Sequence, residues 1–233
     1  MPCSRGARVR ANMIAALTGL VAGVIHVWSG PDHLTAIAPL AARKPAKALN
    51  AGARWGFGHS AGVAVVGLLS LWLRENLPLD LLSSWGERLV GVLLFGIGIW
   101  ALRKALTVHA HEHRHGPDHH LHMHAHPKDL PHEQIEAHAH HTHAAFGVGV
   151  LHGIAGSSHF VGVLPILAFP TRTQALSYLF TFGLGTVLSM ASFSWVIGSV
   201  AGRCASNSTR VYRILMSCCA LLALCVGGFW LVK

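Results

Sequence analysis

The sequence predicts an all-α polytopic membrane protein: six transmembrane helices, arranged as two inverted three-helix repeats with interrupted first helices. Three observations predict it. Charge is scarce, with 52% of the 233 residues apolar and 12% charged, about half the charged share of a soluble domain. Uncharged runs of spanning length recur along the chain. A pattern of His, Gly and Pro in the first run returns at a fixed distance in the second half.

Residues 1–10 read as a basic N-terminal tail carrying Arg5, Arg8 and Arg10. The first three-helix repeat then occupies 11–104, with uncharged runs at 11–31, 55–73 and 89–102, the last extended by 83–85. A flexible His-rich loop is expected over 105–144. The second repeat occupies 145–233, with runs at 144–171, 173–202 and 214–232. About 20 apolar residues suffice for one helix to cross hydrocarbon. The first run leads into Gly30-Pro31-Asp32-His33 rather than a small-residue cleavage site, so it reads as a span and not a signal peptide. The formal charge of +9 does not indicate nucleic-acid binding, because the basic residues lie mostly near the ends of apolar runs, where they anchor and orient helices. Among five Cys there is no C-x-x-C pair; Cys218, Cys219 and Cys225 sit in the last run as small packing residues.

The repeat is visible in "GVIHVWSGPDHLTAIAPL" (23–40) and "GVLHGIAGSSHFVGVLPI" (149–166). At an offset of 126, Gly23 falls on Gly149, His26 on His152, Gly30 on Gly156, His33 on His159 and Pro39 on Pro165. One residue further along, "WGFG" (55–58) falls on "FGLG" (182–185). Each half therefore holds three spans in the same order. An odd number of spans brings the second half in from the opposite side, so the repeats are inverted, an architecture used by transporters whose sites lie on broken helices.

Between the halves, 109–143 holds 14 of the 19 His and almost no apolar side chains, so it cannot form a packed core. Its H-x-H spacing brings together His109, His111, His113 and His115, then His119, His120, His122, His124 and His126, then His138, His140, His141 and His143. Imidazole is a borderline ligand suited to Ni, Co, Zn and Cu. The tract reads as an auxiliary metal-binding loop, with a solvated linker or a pH-responsive tract as the alternatives.

The remaining His are His26, His33, His59, His152 and His159, all in predicted spans. Asp32 is the one acidic residue set deep in a span. Ionisable groups at that depth are costly and generally face a polar pathway. His26 and His33 are two helical turns apart and share a face, as do His152 and His159. An unbroken helix would turn Asp32 away from that face. Pro31 removes a backbone donor and Gly30 tolerates unusual angles, so a local unwinding here would turn Asp32 inward and free carbonyls as further ligands; Gly156 marks the matching break. A mixed set of imidazoles and one carboxylate suits a divalent first-row ion. His59, among glycines in "GFGHS", is expected to approach the same site.

At "HVWSGPDHLTAIAPLA", "RWGFGHSAG", "HGIAGSSHFVGVLPILAFP" and "TFGLGTVLSMASFSWVIGS" the chain resembles the nickel/cobalt transporter superfamily, and within it the UreH-like, high-affinity nickel-transport-like branch. The resemblance implies multi-pass transport of Ni²⁺ or Co²⁺ with no prosthetic group, and metal ligation by His26, Asp32 and His33. The better-known permeases carry H-x4-D-H, whereas five residues separate His26 from Asp32 here. The local geometry therefore differs, and Zn²⁺, Fe²⁺ or Mn²⁺ stay open as the transported ion. The bets on His59, His152 and His159 rest on the repeat alone.

Other functions fit less well. An intramembrane metalloenzyme would need a general base, yet there is no H-E-x-x-H and no second acid in a span. A sensor or storage module would not need broken, repeated helices. An anion carrier would be opposed by Asp32. The expected partners are the divalent ion and the lipid bilayer; a metallochaperone or a second copy of the chain would be compatible. The loops on the His-tract side carry 11 Lys/Arg and the side of the termini 7. By the positive-inside rule the His loop is cytoplasmic, in a plasma (inner) membrane.

Overall fold

The computed structural model describes residues 5–42, 45–73, 79–115, 118–125, 141–155, 162–207 and 209–232. Among the described residues the helices with given bounds are α1 (Arg5–Ser29), α2 (Pro31–Ala41), α3 (Pro45–Leu73), α4 (Leu79–Thr107), α5 (His141–Ala155), α6 (Pro165–Ala168), α7 (Arg172–Asn207) and α8 (Thr209–Val232). Five stretches are long and apolar enough to cross a bilayer: Arg5–Ser29, Pro45–Trp72, Trp85–Leu106, Arg172–Cys204 and Arg210–Val232. The chain is a multi-pass helical membrane protein. Its polarity is inverted accordingly: Trp72, Phe180 and Val232 are exposed, while Asp32, His33, His59, Thr186 and Ser194 are buried.

Three expectations meet the described residues as follows. Helix α1 already begins at Arg5, within the expected tail of 1–10. The run 144–171 is described in two pieces, the apolar α5 up to Ala155 and the four-residue α6 from Pro165, while 156–161 lie outside the described residues. The His-rich segment is not structureless throughout. Val108–His115 (β1) and Asp118–Ala125 (β2) pair as an antiparallel hairpin, with His109 opposite His124, His111 opposite His122 and His113 opposite His120. The cause is the H-x-H alternation itself, which has the two-residue period of a strand.

Small residues set how the helices pack. Gly19 lies against Tyr178 and Thr181, Gly23 against the Phe182 carbonyl, and Gly185 against Leu20 and Val24, so α1 and α7 run parallel. Gly149 lies against Trp55, Gly58 against Phe146 and Val150, and Gly153 against His59, so α3 and α5 also run parallel. By contrast, Gly52 meets Ser194, Gly56 meets Val187 and Met190, and Gly183 meets Ser60, so α3 and α7 are antiparallel. Gly91 against Leu231 and Gly98 against Ala220 make α4 and α8 antiparallel as well. Without a strong hydrophobic drive between helices in lipid, such close backbone approach is a main source of cohesion. It follows that α3 and α5 both start at the end of the bundle bearing the hairpin, and α1 and α7 both start at the other end.

Two apolar clusters sit one above the other. Val27, Ile37, Trp55, Leu94 and Met190 belong to the first. Val63, Val163, Ile166, Tyr178 and Phe182 belong to the second. Along α3, His59 lies between Trp55 of the first cluster and Val63 of the second. Tyr212 Oη donates to the Ala42 carbonyl at 3.0 Å, fastening the start of α8 to the end of α2.

A Cβ at Gly23 would overlap the Phe182 carbonyl, whereas one at Gly96 meets nothing within 4 Å. Overpacking of this kind costs about 1–3 kcal/mol. Thermal unfolding in detergent should therefore show a lowered Tm for Gly23→Ala and no loss for Gly96→Ala. Equal melting of the two variants would contradict the close α1–α7 packing.

Candidate metal centre

The site begins at the break between α1 and α2. Gly30 has φ −90° and ψ 102°, which takes it out of the helix, and Pro31 opens α2. Proline is well placed there, because the first turn of a helix has no use for its missing N–H. The interruption is short. Gly30 N–H donates to the His26 carbonyl at 3.2 Å, and the Gly30 carbonyl accepts from His33 N–H at 3.1 Å. The expected unwinding is thus a one-residue kink, and these two carbonyls are occupied by backbone partners. The kink nonetheless re-aims the chain. Asp32 falls in the first turn of α2, where the helix dipole favours a carboxylate. Gly30 also makes room, since a Cβ there would strike the His33 ring and the Asp32 carboxylate.

Asp32 joins the two halves of the chain. His33 Nδ1 donates to Asp32 Oδ1 at 3.0 Å, and Asp32 Oδ2 lies 3.3 Å from His152 Nε2. The other imidazoles gather on His33, with ring centroids 4.5 Å away for His26, 4.9 Å for His59 and 4.8 Å for His152. His59 is 5.6 Å from both His26 and His152. His33, His59 and His152 are fully buried, and His26 and Asp32 nearly so. The structure therefore brings together five of the six residues singled out in the spans. His159 and Gly156 lie outside the described residues, as do His126, His138 and His140. Of the loop, His109, His111, His113 and His115 lie on β1 and His119, His120, His122 and His124 on β2; His141 and His143 lie in the first turn of α5.

Two triads emerge, each offering ligand atoms that all lie within 4.8 Å of one another: His26, His33 and His59, and Asp32, His33 and His152. His33 is common to both. A first-row ion with metal–nitrogen bonds of about 2.0–2.1 Å spreads its ligand atoms over at most about 4.2 Å. The atoms of either triad lie close to the spread that one bound ion requires. The donor set, imidazole with one carboxylate, matches the preferences of divalent Ni, Co and Zn.

Two aromatic rings pack on the cluster, and the sequence singles out neither as a site residue. The Phe182 ring lies 5.3 Å from His26, and the Trp55 ring lies 6.0 Å from His152. Thr186 is fully buried and donates from Oγ1 to the Phe182 carbonyl at 2.9 Å. The alignment of "WGFG" with "FGLG" held the signal, since it pairs Trp55 with Phe182 and carries on to pair His59 with Thr186.

Comparison with known proteins places these features. A family model described as "Cytochrome C biogenesis protein transmembrane region" matches residues 17–223. The chain is 33% identical over 216 residues to the Chloroplast protein FOR GROWTH AND FERTILITY 2 of Arabidopsis thaliana, covering 92% of this chain and 55% of that protein. It therefore spans little more than half the length of that relative. It is 29% identical over 190 residues to the Urease accessory protein UreH of a Bacillus species, covering 80% of this chain and 78% of UreH. A Methanocaldococcus jannaschii protein provisionally named a nickel/cobalt efflux system is 29% identical over 102 residues, 42% of this chain and 47% of its own length. No solved structure matches the chain significantly.

Asp32→Asn preserves shape and removes the negative charge between His33 and His152. Its affinity for Ni²⁺ should fall by at least about tenfold, the lower range for disturbing a metal's immediate surroundings. Titration calorimetry on protein whose loop histidines are replaced by Ser isolates this site. An unchanged Kd would remove Asp32 from it.

Proposed function

The chain belongs to the family of the cytochrome c biogenesis protein transmembrane region, and on that footing we propose that it carries divalent transition-metal ions across a membrane, Ni²⁺ or Co²⁺ foremost. One observation carries the reading. Four imidazoles and a carboxylate are buried together at a helix break inside an apolar bundle. Nothing in folding requires this. Ionisable groups in a membrane interior are expensive and mark ion pathways. The ligand types favour a borderline dication over Mg²⁺ or Ca²⁺, which take oxygen ligands. One relative points the same way by name, the protein provisionally named for nickel/cobalt efflux.

The mechanism follows from the ligands. One carboxylate offsets half of a dication's charge; the remaining positive charge is solvated by retained water or offset by release of a proton. His26, Asp32, His33, His59 and His152 replace part of the ion's hydration shell, and release follows when the two halves of the chain move against each other. We read those halves, 11–104 and 145–233, as inverted repeats. The packing supports it: α1 pairs with α7 as α5 pairs with α3, while α3–α7 and α4–α8 are antiparallel. His159 and Gly156 take the roles of His33 and Gly30 in the second half. The His-rich segment gathers ions at the hairpin end, with three cross-strand His pairs in register on β1 and β2. The 11 Lys/Arg on that side favour, by the positive-inside rule, a cytoplasmic hairpin in a plasma (inner) membrane. The protein is a carrier and not an enzyme.

Proteoliposomes holding the purified protein should accumulate Ni²⁺ or Co²⁺ in preference to Zn²⁺, Fe²⁺ and Mn²⁺, with a rate that responds to an imposed pH gradient. Asp32→Ala should abolish the accumulation. Full transport by that variant would sink the site assignment. Deleting 109–143 should weaken apparent affinity while sparing the maximal rate; complete loss with correct insertion would make the loop part of the pathway.

A further inference from the structure

One aromatic ring packs on each of two buried imidazoles of the cluster, and the two rings occupy matching places in the sequence of the two halves. Trp55 falls on Phe182 in the same alignment that pairs His26 with His152. In space the pairing is crossed. Phe182 of the second half packs on His26 of the first, and Trp55 of the first half packs on His152 of the second. Both rings are fully or almost fully buried. They lie on opposite sides of the site along the bundle. Trp55 precedes His59 by about one helical turn, some 6 Å toward the hairpin end. Phe182 packs with Val63, one turn beyond His59 toward the end where α1 and α7 begin.

We propose that Trp55 and Phe182 are the two gates of the ion site, each closing it toward one side of the membrane. The inference rests on the transport reading and goes beyond it. Phe182 covers the all-imidazole triad of His26, His33 and His59, and Trp55 covers the triad that holds Asp32. The ion therefore crosses at His33, which both triads share, and the charged triad faces the hairpin end. A hydrophobic ring across a narrow passage blocks hydrated ions without a covalent barrier. Trp55 is suited to move. Its Nε1 donor is buried without a hydrogen-bond partner among the described residues. Such a donor is unfavourable where it stands and recovers a hydrogen bond when the ring swings out to water. Phe182 carries no polar group, so its gate gains no such bond on opening, and the two gates differ in their opening cost.

The test uses the whole 233-residue chain in liposomes with its native Cys replaced and one reporter, Thr186→Cys, at a fully buried position one helical turn after Phe182 toward the hairpin end. A membrane-impermeant maleimide is applied from either side. Phe182→Ala should raise labelling from the side of the termini alone, and Trp55→Ala from the hairpin side alone. The double variant should leak Ni²⁺ down its gradient at about ten times the passive rate of either single variant, because both constrictions are then open. If an alanine variant does not insert, Trp55→Leu and Phe182→Leu are read in the same way. Labelling raised from one common side, or a double variant no leakier than the singles, overturns the gates. A wild-type protein that labels as expected yet moves none of the divalent ions overturns the transport reading and leaves the two seals in place.

Discussion

Everything in this fold depends on keeping one carboxylate and four imidazoles together in a place without bulk water. Asp32 touches His33 from its own helix and His152 from the other half of the chain. That bridge joins the start of α2 to α5, and it exists because the helix breaks for one residue. Gly30 leaves the helical conformation, Pro31 restarts it, and the missing Cβ of Gly30 leaves space for the His33 ring. A longer side chain at residue 30 would push the ring off the carboxylate. Polar groups buried in this way are tolerated only when they satisfy one another or a ligand.

The rest of the bundle serves that constraint by close packing. Gly149 and Gly153 press α5 against α3 at Trp55 and His59, and Gly23 and Gly185 press α1 against α7 at the matching level. These contacts bring His26, His59 and His152 within one ring's breadth of His33. Apolar clusters above and below keep water out. A low-dielectric enclosure strengthens each interaction inside it, and makes any unpaired charge there costly. The proposed carrier function would use both effects: tight holding while closed, and a reason to open when the ion is missing or delivered.

The two halves match in sequence pattern and differ in chemistry. Trp55 answers Phe182, and His26 answers His152, yet Asp32 is matched by Ser158 and His59 by Thr186. Both departures give the second half a side chain that ligates a transition metal less readily. On the proposed reading, that makes one centre from unequal contributions.

Much of this was legible in the residues alone. Uncharged runs require helices in a bilayer, because no other unbranched segment can satisfy its own backbone there. The Gly30-Pro31 break and the ligand types of His26, Asp32, His33, His59 and His152 are local chemistry, fixed by residue identity. The H-x-H alternation of 108–125 carried a strand period that composition alone obscured. The extent of the break was not legible, since it depends on which backbone groups find partners, and His26 and Gly30 both do. Above all, sequence supplied the matching pairs but not the crossing between them. That Phe182 covers His26 and Trp55 covers His152 follows from α1 lying beside α7 and α3 beside α5, and only three-dimensional packing decides which helices become neighbours.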